Sequence, residues 1–258
     1  AKRYPELTQV PGAAQRDDQA LMLLSGTSIA APVVAGAVAL MIEANAGLTP
    51  PLAKAILQYT AQTLPGASLV QQGAGMLNIE GAVRLAAALR SDMFSRVVLA
   101  GQTLAAGESL LWWNGAMLPT PVSTINGEQV PWGRLVFVGG NRVVTGEALF
   151  RQWQPWYDPH LSWVRNEVRQ MQVRWWPGWT GVYPMAVLSV PSPNTRLLTA
   201  GVVSLGELAG TSSLFGRTGV FMPSATLSAW VGSGRTLTQG IVLSEGLVLS
   251  EGLVLSEG

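Results

Sequence analysis

Cysteine is absent from all 258 residues, which excludes disulfide bridges, thiolate metal sites and thiol catalysis. Its absence fits many exported bacterial proteins. Charge is scarce as well: only 12% of residues are charged, and 16 basic against 15 acidic side chains leave a net charge of +1. That balance gives no electrostatic case for a nucleic-acid or membrane-surface partner. The longest uncharged apolar run, Ile29 to Ile42, falls short of the ~20 residues a bilayer requires. With its alanines, glycine and proline it reads as a buried helix, so no membrane span is expected. The opening "AKRYPELTQVPG" lacks the apolar stretch of a secretory leader. The first residue is Ala1 and the last hexapeptide is complete, so both ends read as cuts through a longer protein.

What is present is core-forming material, 48% of the residues being hydrophobic. "LMLLS" (21–25) suits a buried strand. The apolar run behind it predicts a helix from about Ser28 to Ala44, with Pro32 in its first turn and Gly47 as its stop. In "LTPPLAKAILQYTAQTLPG", Thr49 caps a second helix whose Leu52, Ile56 and Leu57 share a face. Asn78 and Glu80 open a third, with Val83, Leu85 and Leu89 turned inward. After Arg90 the texture changes to short β-branched runs such as "GRLVFVGGNRVVTG" and "LLTAGVVSL", bounded by Gly, Pro and Asn. All ten tryptophans lie in that part, and the chain closes on the repeat "IVLSEGLVLSEGLVLSEG".

Chemistry centres on "LLSGTSIAAPVVAGAVALM" (23–41). A serine hydroxyl attacks only when a base takes its proton and the fold presents its oxygen. The first turn of a helix supplies presentation, a positive helix end and a nearby amide for a developing oxyanion. Capping alone would also explain Ser28. The letters themselves closely resemble the serine signature of subtilisin-like proteases (subtilases). Gly26, Thr27, Ser28, Ala30, Ala31, Pro32, Ala35 and Gly36 match it, while Ile29 replaces the usual Met and Val33 stands where many members have His. The resemblance extends from residue 18 to about residue 90 and implies that Ser28 is the acyl-accepting serine of a peptide-bond hydrolase. Gly26, Thr27, Ala30, Pro32 and Gly36 support the motif. It further implies an α/β fold, the C-terminal section of a parallel-sheet catalytic domain.

In that family the triad runs Asp, His, Ser along the chain. Only 27 residues precede Ser28, none a histidine, and no Asp-[ST]-Gly or His-Gly-Thr element occurs. Asp17 and Asp18 match no triad position, and neither Asn45 nor Asn78 matches the oxyanion asparagine. His and Asp are therefore expected from an upstream segment or a partner chain, and the chain alone is expected to be inactive. His160, the one histidine, reads as a structural or surface residue, and Asp158 with His160 offers two metal ligands without a third. No cofactor is expected, calcium being a matter for the parent enzyme. The tryptophan-rich stretch reads as the core of a β-rich module rather than a nucleobase or sugar platform.

The expected organisation is a catalytic section over 1–92, a β-rich module over 93–240 and a repeat tail over 241–258. The tail is expected to pair with that module or to drive self-association. The expected parent is an extracellular or cell-surface bacterial serine endopeptidase acting on proteins or peptides. The rival reading is a structural or interaction module that keeps the motif only for packing.

Overall fold

A computed structural model describes residues 25–93, 104, 107–112, 116–139, 142–164, 167–174, 186–191 and 203–204. Helix α1 spans Thr27–Ala44, α2 Pro50–Thr60, α3 Leu69–Gln72, α4 Ile79–Ala88 and α5 Ala148–Arg151. Strands β1 (Val122–Ile125), β2 (Glu128–Pro131), β3 (Val136–Val138), β4 (Arg142–Val144), β5 (Leu161–Val164), β6 (Glu167–Arg174), β7 (Ala186–Pro191) and β8 (Val203–Ser204) form three small sheets: β1-β2, β3-β4-β8 and β5-β6-β7. Every described strand pair is antiparallel. The expected strand over 21–25 lies almost wholly outside the described residues, as does the repeat tail over 241–258.

Local chemistry places the helix starts. Thr49 accepts the Leu52 amide at 3.4 Å, and two prolines then open α2 where amides have no intrahelical acceptor. Asn78 accepts the Gly81 amide at 2.9 Å, with Glu80 in the first turn of α4. Leu85 and Leu89 are buried as expected, and Val83 is half-buried. Pro32 is not at the first turn: α1 begins at Thr27, so the proline lies inside the helix and gives no amide to the Ser28 carbonyl.

One hydrophobic core joins the helices to the segments that follow them. Leu52, Ile56 and Tyr59 of α2, Leu85 of α4 and Leu89 just past its end are continuous with Leu110, Trp132, Val136, Phe150, Trp153 and Tyr157. Tyr59 meets Phe150 edge-on with ring centroids 4.7 Å apart, and Trp153 meets Tyr157 the same way at 5.7 Å. The switch in texture near residue 92 thus marks a change of secondary structure, and the core crosses it. Trp132, Trp153 and Trp156 are buried, whereas Trp112 is exposed with the Arg90 guanidinium over its ring.

A polar staple fixes the β1-β2 hairpin to α4. Ser123 is fully buried, accepts from the Trp132 indole at 2.8 Å and bonds the Asn78 side chain at 3.0 Å. The hairpin turns on Asn126-Gly127, both with positive φ (51° and 84°), the backbone such two-residue turns need.

Burial raises the Tyr157 phenol well above its ordinary value of 10.0, and its hydroxyl donates to the Leu149 carbonyl. Because the folded state holds this proton more tightly than the unfolded chain, the stability it contributes is complete below pH 10. It is lost as pH climbs toward the folded-state value. Tyr157→Phe is expected to cost about 1 kcal/mol at neutral pH yet to flatten the fall in stability above pH 10. Urea melts at pH 8 and above pH 10 check both halves.

Candidate active site around Ser28

Ser28 is the second residue of α1 and is exposed. The first intrahelical bonds run from the Ile29 and Ala30 amides to the Gly26 carbonyl, each 3.1 Å. The Thr27 and Ser28 amides therefore precede the ladder, at the positive end of the helix dipole. Gly26 caps the helix at φ 138°, ψ 170°, a backbone that side-chain-bearing residues rarely adopt. A glycine at that point sets the sharp entry that puts Ser28 at the helix tip. Thr27, Ala30, Pro32 and Gly36 follow on the same helix, all exposed.

The expectation that this helix is buried is overturned. Only Ala37 and Met41 are buried, on the side that packs along α4. Ile29 (43% exposed), Val33 (54%), Val34 (40%), Leu40 (47%) and Ile42 (49%) carry apolar surface to the outside. A Cβ added at Gly36 would meet nothing within 4 Å, so the small residues of α1 have no close neighbour at that point. The reason is geometric: a helix apolar all round needs cover on every side, and among the described residues α4 covers one.

α1 is also the one described helix long and apolar enough, by length and composition, to cross a membrane. At 18 residues it measures about 27 Å, longer than the uncharged run alone suggested. Only 11% of that stretch is buried within the described structure. α4 packs along it and carries the Glu80–Arg84 ion pair, more than a third exposed on both side chains.

His160 belongs to a different locality. Its Nδ1 lies 2.9 Å from the Asp158 carboxylate, which also accepts the His160 amide at 2.8 Å. Three residues earlier, the Tyr157 carbonyl accepts from Thr49 at 2.7 Å. Thr49 follows the turn that closes α1, where Leu48 donates to the Asn45 carbonyl. The Thr49 hydroxyl thus ties the segment before His160 to the start of α2, beyond the C-terminal end of α1, and Ser28 stands at the other end of that helix, about 27 Å long. The His160–Asp158 pair orders the entry to β5, and the structural reading of His160 agrees with this placement. Among the described residues no group of three or more His, Asp or Glu could hold a metal ion.

Asn45, which sequence reasoning weighed only as an oxyanion candidate, has a place of its own. It is 2% exposed, and its side-chain amide donates to the carbonyls of Ala86 (2.8 Å), Leu89 (3.1 Å) and Arg90 (3.3 Å). Its Oδ1 accepts the Gly47 amide at 2.9 Å. A polar residue closing an apolar helix, in "MIEANAG", was the available signal.

Residues 5–81 match the model of the subtilase family, Peptidase S8. The matched stretch takes in the Ser28 motif, α1, α2 and the start of α4. No curated protein and no solved structure matches the chain.

Proposed function

We propose, from the match of residues 5–81 to the subtilase-family model, that Ser28 is the acyl-accepting nucleophile of a subtilisin-like serine endopeptidase whose histidine and aspartate come from an upstream segment or a partner chain. The observation that carries this reading is the coincidence of the family match with an exposed Ser28 at the tip of α1. In the reaction, Ser28 Oγ attacks the carbonyl carbon of the scissile peptide bond while the imported histidine takes the hydroxyl proton. That proton passes to the leaving amine, the acyl group stays on Ser28 as an ester, and water releases it by the same route. The Ser28 amide and the positive end of α1 lie where the oxyanion forms. The bare apolar face of α1, from Ile29 to Ile42, is where the missing part of the catalytic fold would seat.

Secretion to the cell exterior and action on protein or peptide substrates go with this reading. So does self-association through the repeat tail, which lies outside the described residues. The rival reading, a non-catalytic interaction module, draws on one observation: among the described residues no hydrogen bond joins Ser28 to His160, the one histidine of the sequence. Casein hydrolysis separates the two. The parent chain, carrying its upstream segment, should cleave casein and lose that activity in Ser28→Ala. Equal turnover by parent and variant would assign the chain to the module reading.

A further inference from the structure

Helix α1 is held at one end. Its C-terminal residue Ala44 is followed by Asn45, whose amide gathers the closing carbonyls of α4, at Ala86, Leu89 and Arg90. Two residues on, a Cβ on Gly47 would overlap the Ser91 carbonyl, so the same turn is pressed against the exit of α4. Buried contacts of α1 stop at Ala37 and Met41, in its C-terminal half. From Gly36 back to Ser28 every residue is exposed. The serine is therefore carried on a rod anchored at the far end, and the anchor sets the direction in which the rod points.

We propose that Asn45 is the positioning residue for Ser28: by tying the end of α1 to the last turn of α4, it fixes the line along which the nucleophile is presented. This rests on the reading of Ser28 as nucleophile for its catalytic consequence, though not for its geometric one. A tilt of about 10° at Asn45 displaces the tip of a 27 Å rod by roughly 5 Å. Misplacement of a reacting atom by about 1 Å already costs on the order of a hundredfold in rate. Ser28 and Asn45 do not touch, so the role is exerted entirely through the axis of α1.

The chain has no native cysteine, which makes spin labelling clean. Labels at Ser28→Cys and at Lys54→Cys, an exposed position on α2, report the distance between helix tip and core by pulsed electron paramagnetic resonance. Asn45→Ala in the full chain should shift or broaden that distance by several ångströms, on the scale of the 10° tilt. The control is Ser123→Ala, which breaks another buried polar network of this core and should lower Tm without moving the label. Should Asn45→Ala fail to fold, Asn45→Ser is measured in its place. A distance unchanged in the Asn45 variant while Tm falls as in Ser123→Ala overturns the proposal. A second arm uses the parent chain with unlabelled Ser28, where Asn45→Ala should lower kcat at least tenfold and leave KM within twofold. If the distance moves but the parent never acylates Ser28, the positioning geometry stands and the nucleophile reading fails.

Discussion

Cut after Met93, the chain will not hold a native fold. The helices contribute Met41, Leu52, Ile56, Tyr59, Leu85 and Leu89 to a core whose other half is Leu110, Trp132, Val136, Val144, Phe150, Trp153 and Tyr157. Truncating one buried aromatic to alanine costs about 3–5 kcal/mol. A domain of this size stands only about 5–15 kcal/mol above its unfolded state. Removing four aromatics together, about 12–20 kcal/mol on that scale, therefore matches or exceeds the margin. The fragment also loses the backbone ties from Gly133 to Ala61 (2.7 Å) and Arg134 to Tyr59 (2.9 Å) that close the core over α2. Residues 1–93 should show no cooperative thermal transition and should bind an apolar dye, whereas the full chain should melt cooperatively. A cooperative melt of the fragment would mean that the core is divisible near residue 92.

The largest expected effect is on catalysis. As an isolated chain the protein should turn over peptide bonds no faster than background, because nothing described near Ser28 can take its proton. Triad members act as a unit, and loss of the base alone costs on the order of a millionfold in kcat. His160 is held with Asp158 in the stretch that opens β5 and is not expected to repair this. Supplying the upstream segment should raise turnover by several orders of magnitude, and His160→Ala should leave that rate unchanged. A rate that collapses in His160→Ala would place the base on this chain after all.

How much of this was legible beforehand divides by range. Caps are local chemistry, and Thr49 and Asn78 stand where their side chains reach the next amides. The start of α1 was legible for the same reason, since Gly26 and the run behind it act over a few residues. The exposure of α1 was not, because composition states that a face is apolar and says nothing of what covers it. The shared core was hidden by the change from helical to strand texture near residue 92, since texture does not state that buried residues on both sides of it pack in one cluster. The hairpin over 122–131 was signalled by Asn126-Gly127 and went unread beside the longer apolar runs. Asn45 looked like an incidental polar residue until the carbonyls of Ala86, Leu89 and Arg90, more than forty positions away, came within its reach.

The central claim is that Ser28 is an enzyme nucleophile once a base is supplied. A fluorophosphonate probe reacts with a serine only where a base and an oxyanion site already activate it. The measurement is peptide mass spectrometry of the probe adduct on the isolated chain and on a form extended upstream. The account predicts no adduct on the isolated chain, an adduct on the Ser28 peptide of the extended form, and its loss in Ser28→Ala. An extended form that hydrolyses protein while its adduct sits on another serine, or that takes no adduct at all, would contradict it.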